Sequence, residues 1–231
     1  PPRSTLFPYT TLFRSLLTDL NPELIDLYLG ILSFPHQVWE KYCSYPSTKY
    51  GYYKIRDLNS QELDPISRAA RLLYLNRTCF KGMWRHNAEG KFNVGYGGQS
   101  RRWVITQEDL LEASERLKRA LLRVSDFQEV IEACTAQDFI FLDPPYKPGE
   151  KDLLHDHYLF GKFTYEDHKR LAATLDRASQ KGIRWALTTS SHPEILSLFQ
   201  GYCSFNFQQG TGKQPGILTN QSGEVLICNY A

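Results

Sequence analysis

The stretch of sequence that decides the fold is Phe139-Ile140-Phe141-Leu142-Asp143-Pro144-Pro145-Tyr146. It joins an apolar run to an unusual turn. Four apolar residues ahead of an acid and two prolines predict a buried central strand that ends at Leu142. Ligands of open α/β sheets bind at the carboxyl ends of such strands, so the turn is predicted to lie at an active-site edge. The alternative is an ordinary strand end followed by a proline turn.

The turn offers two hydrogen-bond acceptors and an aromatic ring. Pro144 and Pro145 fix φ and carry no N–H, so the Asp143 carboxylate and the Pro144 carbonyl are predicted to face outward. Two fixed acceptors suit a substrate with an NH₂ group, such as the exocyclic amine of a nucleobase. Hydrogen bonds from both amine protons would localise the nitrogen lone pair for attack on a methyl donor, with Tyr146 stacked on the base.

Strands and helices alternate regularly around this turn. We predict strands at 121–124, 139–142 and 184–188, helices at 127–134, 165–181 and 193–199, and terminal strands at 203–207 and 225–230. This alternation predicts an α/β protein with a parallel sheet, right-handed crossovers and a final hairpin.

The first half of the chain is predicted to be mainly helical. A short strand at 16–18 precedes a helix that begins at Pro22, and a second helix runs from Ser60 to about Asn76. Residues 91–103 are rich in glycine and predict a hairpin or an extended loop. Thr106 and Asp109 form a capping box for a helix that reaches about Leu122.

Composition excludes several classes of protein. The 231 residues are 42% hydrophobic and 23% charged, which is typical of a soluble globular chain, and no apolar run approaches a membrane span. Five cysteines without a C-x-x-C pair favour reduced thiols and a cytoplasmic protein. His155-Asp156-His157 is interpreted as part of a loop, so we expect no bound metal.

Charge is concentrated in one segment although the net charge is only +2. Residues 68–102 contain eight Lys or Arg against a single acid, Glu89, which gives a local charge of +7. Aromatic and amide residues are interleaved with these cations, as phosphate neutralisation and base contacts require. A solvated helix face followed by a hairpin is the alternative interpretation.

We expect residues 1–15 to lie outside the fold. They are the in-frame translation of a sequencing-library adapter, and they have neither a continuous apolar core nor a cleavage site of a targeting signal. We therefore assign the methyl-transferring domain suggested by the turn to residues 16–231.

Several motifs outside the turn carry a family resemblance. They are Leu75-Asn76-Arg77, Gly82, Arg85-His86-Asn87, Gly90-Lys91-Phe92-Asn93-Val94, Asp143-Pro144-Pro145-Tyr146 and Phe163-Thr164 with Asp167-His168-Lys169-Arg170-Leu171-Ala172. In this order they resemble the Dam-type (D12 class) DNA adenine N6-methyltransferases, over essentially the whole of residues 16–231.

The resemblance implies a fold, a cofactor and a reaction. The fold is a class I S-adenosylmethionine-dependent methyltransferase with a Rossmann-like sheet and a mainly helical target-recognition insert at about 35–118. The catalytic residues are Asp143, Pro144, Pro145 and Tyr146, which receive an adenine flipped out of the duplex. Asp19 would hold the cofactor ribose, Asp126 and Phe127 would lie beside the cofactor adenine, and Asp143 would complete the cofactor-binding set. The alternatives are a helix cap for Asp19 and a loop acid for Asp126.

The insert would bind double-stranded DNA. The implied contacts are Arg77, Phe80, Lys81, Arg85, Asn87, Lys91 and Asn93. Arg85 matches a base-reading arginine, whose natural partner is guanine, and Phe80 matches an aromatic wedge. Lys81 stands where the family usually has Asn, and Gly95 stands where it usually has Pro. A lysine cannot form the paired contact that an amide forms with adenine, so the sequence does not determine which DNA site is recognised.

Two motifs of the family are missing from this chain. Neither the Lys-Trp-x-Gly-Gly-Lys-type block nor the glycine-rich turn after the first strand is present. We therefore expect a sheet that is incomplete at its N-terminus and a fragment that binds S-adenosylmethionine poorly or not at all, which calorimetry would test.

Three hypotheses about function follow from the sequence. The first is a monomeric DNA adenine N6-methyltransferase of the restriction–modification type. The second is another exocyclic-amine methyltransferase, acting on N4 of cytosine in DNA or on N2 of guanine in RNA. The third is a DNA-binding protein without catalytic activity that uses only the basic insert.

Overall fold

The computed structural model describes residues 15–87, 89–145, 163–206, 209–210, 218–219 and 223–230. Contacts divide the chain after Val124 into two units, which we call unit 1 and unit 2. Among the described residues, no helix combines the length and the apolar character that crossing a lipid bilayer requires.

Unit 1 is a two-stranded parallel sheet with five helices between its strands. Strand β1 (Ser15–Asp19) pairs with β2 (Ala120–Val124), so that Asp19 lies opposite Val124. The helices are α1 (Pro22–Ser33), α2 (Pro35–Ser44), α3 (Lys49–Arg56), α4 (Pro65–Thr78) and α5 (Gln107–Leu117). The predicted strand at 16–18 and the predicted helix start at Pro22 are confirmed.

Two helix boundaries in unit 1 were predicted wrongly. Residues Ser60–Glu62 form a separate 3₁₀ turn, and α4 begins only at Pro65. The Asp64 carboxylate accepts hydrogen bonds from the backbone N–H groups of Ile66 and Ser67, which fixes the helix start there. The capping box of Thr106 with Asp109 is confirmed, but α5 ends at Leu117 rather than near Leu122 because β2 follows at once.

Tyrosines form much of the core of unit 1. Tyr42, Tyr52 and Tyr74 are fully buried, and each hydroxyl donates to a backbone carbonyl distant in sequence. The Tyr52 hydroxyl donates to the Val94 carbonyl oxygen at 2.9 Å, which ties α3 to a loop within the basic segment. Burial with a hydrogen-bonded hydroxyl keeps each ring neutral, and burial raises the pKa of Tyr42 to about 12.

Unit 2 contains a four-stranded mixed sheet with helices. Its strands are β3 (Phe139–Leu142), β4 (Arg184–Ser190), β5 (Cys203–Asn206) and β8 (Glu224–Cys228), in the order β3-β4-β8-β5. Strands β3 and β4 are parallel, whereas β8 is antiparallel to both neighbours. The helices are α6 (Phe127–Ala133), α7 (Tyr165–Gln180) and α8 (Pro193–Leu196), and β6 (Gln209–Gly210) pairs with β7 (Leu218–Thr219).

The prediction that residues 139–142 form a strand is confirmed, but the prediction that it is buried and central is wrong. Within the described sheet β3 is an edge strand that pairs with β4 alone. Ile140 is buried in the core of unit 2, whereas Phe139 and Phe141 are 51% and 61% exposed. Alternate side chains of a strand face opposite sides, and only the side of Ile140 is covered.

Candidate active site and nucleic-acid interface

Asp143 directly follows β3 and is held by a threonine on the neighbouring strand. The Thr188 hydroxyl lies 2.6 Å from Oδ1 of Asp143 and 3.2 Å from the Leu142 carbonyl oxygen. Because β3 and β4 run in parallel, with Leu142 opposite Leu187, their carboxyl ends meet at one edge of the sheet. Asp143 is exposed there, so its carboxylate is oriented by Thr188 and open to solvent.

Of the four predicted catalytic residues, three can be located. Asp143, Pro144 and Pro145 leave the edge of the sheet in sequence after Leu142, as the sequence predicted. Tyr146 lies outside the described residues, and so does the segment His155-Asp156-His157. Groups of three or more His, Cys, Asp or Glu that could hold a metal ion are absent from the described part of the chain.

Asp19 ends β1 at the carboxyl edge of the sheet of unit 1. Its Oδ1 accepts the backbone N–H of Asn21 at 2.7 Å, and Asn21 in turn caps α1. The residue is exposed, so its second carboxylate oxygen faces solvent. The N-cap of α1 is thus Asn21 rather than Asp19.

Asp126 forms the N-cap of α6 and a two-point ion pair with Arg170 of α7. Arg170 nitrogens lie 2.7 and 3.0 Å from the two carboxylate oxygens, and the guanidinium also stacks 4.1 Å from the centre of the Phe127 ring. The hydrogen bonds from Arg170 hold the pKa of Asp126 below its usual value. Arg170 therefore fixes the predicted pair Asp126-Phe127 in one orientation.

This ion pair predicts a dependence of stability on pH. A carboxylate whose pKa is lowered on folding stabilises the protein above its unfolded pKa of 3.8, and the contribution is lost as pH falls through the folded pKa. Asp126→Asn keeps a capping side chain but removes the titration. At about pH 6 we expect the urea midpoint of unfolding to be higher for the parent protein than for Asp126→Asn. The difference between the two midpoints should shrink at about pH 2.5. A difference that stays constant over this range would contradict the prediction.

Residues 85–87 and 89–93 form a tight hairpin, which we call the Arg85 hairpin. An antiparallel bridge joins His86 to Phe92, and the Arg85 guanidinium donates to the side-chain and backbone oxygens of Asn93 at 2.8 and 3.3 Å. The Asn87 side-chain oxygen accepts the N–H groups of Glu89 and Lys91, so Asn87 shapes the turn. The hairpin thus brings the predicted residues Arg85, Asn87, Lys91 and Asn93 together.

Phe80, Lys81 and Gly82 form a second feature, a 3₁₀ turn after α4. The Phe80 ring is 51% exposed, as a wedge would require, and the Lys81 ammonium lies 5.4 Å from its centre. Lys81 has φ 55°, the sole non-glycine residue with positive φ among those that the structure describes. A side chain at Gly82 would overlap the guanidinium of Arg101, which packs under this turn.

The backbone of Lys81 predicts a stabilising substitution. The left-handed region costs an ordinary side chain about 1 kcal/mol, and Asn tolerates it better than Lys. We therefore expect Lys81→Asn to raise the free energy of unfolding by about 0.5 kcal/mol, measured by urea denaturation. Lys91→Asn, at an exposed site, is the control and should change it by less than about 0.5 kcal/mol in either direction. Destabilisation by Lys81→Asn would contradict the strain argument.

Arg77 lies in the last turn of α4, just before the turn of Phe80, Lys81 and Gly82. It is half-buried, and its Nε atom is buried without a hydrogen-bond partner among the residues that the structure describes. Sequence reasoning missed three residues that contact the predicted site residues or the Arg85 hairpin: Thr188, Arg170 and Glu23. Their partners are 45, 44 and 63 positions away in the sequence, so no local pattern could have identified them.

Comparison with known proteins identifies the class of protein. The profile of the D12 class N6 adenine-specific DNA methyltransferases matches residues 9–212. A DNA N-6-adenine-methyltransferase of Escherichia phage P1 is 35% identical over 195 residues, which are 80% of this chain and 25% of that protein. The chain therefore spans about a quarter of the length of this relative.

Other relatives are matched over most of their length. The type II methyltransferase M.MjaIII of Methanocaldococcus jannaschii is 28% identical over 94% of this chain and 80% of its own length. A DNA adenine methylase of Vibrio cholerae is 28% identical over 85% of this chain and 73% of its own length. The chain belongs to the D12 class of N6 adenine-specific DNA methyltransferases, and as a member of that class it is an enzyme that methylates adenine in DNA.

Proposed function

We propose that this chain transfers a methyl group from S-adenosylmethionine to the N6 amine of an adenine flipped out of double-stranded DNA. The observation that carries the proposal is the hydrogen bond from Thr188 to Asp143, which aims a carboxylate at the open end of β3 and β4. Flipping costs a few kcal/mol of stacking and pairing, but it brings the amine within reach of residues that cannot enter a duplex.

Asp143 and the Pro144 carbonyl would act on the amine as a pair of acceptors. The lone pair of an exocyclic amine is delocalised into the ring, which makes the nitrogen a weak nucleophile. Hydrogen bonds from both amine protons to fixed acceptors favour a tetrahedral nitrogen, and this geometry develops in the transition state. Pro145 keeps the turn rigid because its φ is fixed, and Tyr146 would stack on the base. A sulfonium cofactor supplies the electrophilic methyl group when it is bound.

The residues proposed to hold the cofactor have side chains of suitable chemistry. The Asp19 carboxylate keeps an exposed oxygen that can accept hydrogen bonds from ribose hydroxyls. Arg170 occupies the Asp126 carboxylate and one face of Phe127, so an adenine ring would stack on the opposite face. Asp143 completes the set. We infer a class I, Rossmann-like arrangement with a target-recognition insert at about 35–118.

The proposed contacts with DNA divide into base-reading and phosphate-binding residues. Arg85 is the base reader, Phe80 the wedge, and Arg77, Lys81, Asn87, Lys91 and Asn93 contact or position the backbone. A guanidinium that is already held by Asn93 is pre-oriented for a two-point contact with guanine in the major groove. The Lys91 side chain is 78% exposed and forms an ion pair with the exposed Glu89, as suits a phosphate contact.

A product analysis tests the reaction. The chain is incubated with duplex DNA and saturating S-adenosylmethionine, and the DNA is digested to nucleosides. N6-methyladenine is the expected product. N4-methylcytosine would favour the second hypothesis drawn from the sequence. DNA binding without any methylated nucleoside, in a chain shown by calorimetry to bind S-adenosylmethionine, would favour the third.

Arg85→Ala is expected to relax sequence discrimination. Loss of a two-point contact with a base costs about 1 to 3 kcal/mol, so preference at one base pair should fall about tenfold or more. Lys91→Ala on the same hairpin is the matched control, because loss of a phosphate contact weakens binding to all sequences alike and reduces its salt dependence. Fluorescence anisotropy with single-base-pair variants of a duplex measures both effects. Equal losses on all duplexes for Arg85→Ala would contradict base reading.

A further inference from the structure

Glu23 connects three parts of unit 1 that are distant in sequence. It lies in the first turn of α1, and its Oε1 is 3.8 Å from Nη1 of Arg71 on α4. Its Oε2 is 3.6 Å from Nε2 of His86 in the Arg85 hairpin. The side chains of Arg71 and His86 are only 5% and 2% exposed, and that of Glu23 is 17% exposed. The three side chains form a buried charged cluster.

The backbone of Glu23 is tied to the turn that follows β1. Asp19 accepts the N–H of Asn21 at 2.7 Å, and the Asn21 side-chain oxygen accepts the N–H of Glu23 at 3.0 Å. These two bonds fix the first turn of α1 relative to the end of β1. The Glu23 side chain therefore starts from a rigid position close in sequence to the proposed ribose-binding carboxylate.

His86, the partner of Glu23, is also held in a fixed position within the Arg85 hairpin. The His86 backbone bridges Phe92, and its ring meets the rings of Trp84 and Phe92 edge-on at 5.0 and 5.9 Å. Arg85 is the next residue along the chain, and its guanidinium is bound to Asn93. A displacement of His86 would therefore move Arg85 and its partner together.

Arg71 supports the cluster from α4. It donates to the backbone carbonyls of Ile55 and Arg56 at 3.0 and 2.6 Å, which anchors it to the end of α3. Burial would raise the pKa of Glu23, but the His86 and Ser60 side chains and the charge of Arg71 outweigh burial and lower the pKa. Glu23 is thus ionised at neutral pH, and loss of its charge would leave Arg71 with an unbalanced charge in a buried place.

We propose that Glu23 is a positioning residue for DNA recognition: through His86 it sets the orientation from which Arg85 reads a base. The inference rests on the proposed function, because it concerns the same DNA contact. In this role Glu23 itself contacts neither a base nor a phosphate. Its effect passes through the 3.6 Å contact between its Oε2 atom and Nε2 of His86, and through the backbone of the Arg85 hairpin.

The test compares Glu23→Gln with a matched variant of the same helix. Asp26→Asn is the control: Asp26 also lies on α1 and pairs with an arginine of α4, Arg68, at 3.5 Å, but it has no contact with the hairpin among the described residues. Each protein is bound to a pool of random-sequence duplex DNA, and the bound fraction is sequenced. The readout is the enrichment of the preferred site over its single-base-pair variants.

We expect Glu23→Gln to reduce this enrichment about tenfold, as the loss of one coupled contact would, while Asp26→Asn stays within about twofold of the parent. The affinity for S-adenosylmethionine should be the same in all three proteins. Unchanged enrichment in Glu23→Gln, or an equal loss in Asp26→Asn, would overturn the inference. A parent that enriches no sequence at all would instead contradict the proposed function, and the inference with it.

A double-mutant cycle separates positioning from a general loss of stability. If Glu23 acts through His86, then Glu23→Gln and His86→Gln together should cost no more enrichment than the more harmful single change. Additive losses would overturn the inference. Should Glu23→Gln fail to fold, Glu23→Asp keeps the charge but shortens its reach, and it should show a smaller loss in the same direction. Enrichment equal to that of the parent in Glu23→Asp would then count against the inference.

Discussion

Asp143→Ala is expected to lower the single-turnover rate of methyl transfer about a hundred- to a thousandfold at saturating S-adenosylmethionine and DNA. The substitution removes the acceptor that Thr188 aims at the open edge of the sheet, where the amine of the flipped base would be held. Because Asp143 is exposed and β3 ends before it, the fold and the DNA affinity should be unchanged. Transfer of a radiolabelled methyl group in a rapid-quench experiment measures the rate.

Two variants of Thr188 serve as controls for Asp143→Ala. Thr188→Ser keeps the hydroxyl and should retain most of the rate, whereas Thr188→Val keeps the shape but loses the hydrogen bond to Asp143. The rate of Thr188→Val should fall between those of the parent and Asp143→Ala, because a carboxylate that lacks the hydrogen bond from Thr188 is in the productive orientation for less of the time. An Asp143→Ala protein with the rate of the parent would refute the proposed role of the carboxylate.

The second large effect concerns stability and is expected at Arg102. This side chain is fully buried, and its guanidinium donates to the carbonyl oxygens of Tyr42, Cys43, Tyr45 and Pro46 and to the side-chain oxygens of Ser47 and Gln99. Arg102→Met fills a similar volume but donates no hydrogen bond. It should lower the free energy of unfolding of unit 1 by about 3 to 5 kcal/mol, since several buried carbonyls lose their partner.

Urea denaturation followed by tryptophan fluorescence measures this loss, because Trp39 and Trp103 pack within the same aromatic group as Tyr42. Arg116→Met is the control: the Arg116 side chain is 78% exposed and pairs with the exposed Glu112, so its loss should cost less than about 1 kcal/mol. A change of similar size in the two variants would show that the buried hydrogen bonds of Arg102 contribute little.

The sequence predicted the helix starts that depend on local chemistry. The predicted box at Thr106 is found in α5, and the predicted helix start at Tyr165 is found in α7, where Thr164 and Asp167 form a second box. A capping side chain acts within three residues of itself, so these starts depend on local sequence. Helices α2 and α3 were not predicted. Phe34 gives α2 no side-chain cap, and α3 is rich in tyrosine, so both depend on burying Tyr42 and Tyr52 against distant parts of unit 1.

In the candidate site too, features set by adjacent residues could be predicted, and features set by distant residues could not. The position of Asp143 after a strand could be predicted, because the apolar run and the prolines are adjacent to it. The hydrogen bond from Thr188 could not, because it depends on the register of two strands 45 residues apart. Likewise, nothing in the residues around Lys81 predicted its left-handed backbone, which arises where α4 ends and Arg101 packs under the turn.

The burial of Arg102 affects how mutational screens of this enzyme are interpreted. The residue belongs to the basic segment, and a screen scored by methylation alone would group Arg102 with Arg85 as a DNA ligand. The Arg102 guanidinium is buried and inaccessible to any macromolecule. A loss of function on replacing Arg102 would therefore come from the unfolding of unit 1. Only a measurement of the amount of folded protein distinguishes the two arginines. Selection for activity alone would therefore assign a nucleic-acid contact to Arg102, which does not contact nucleic acid.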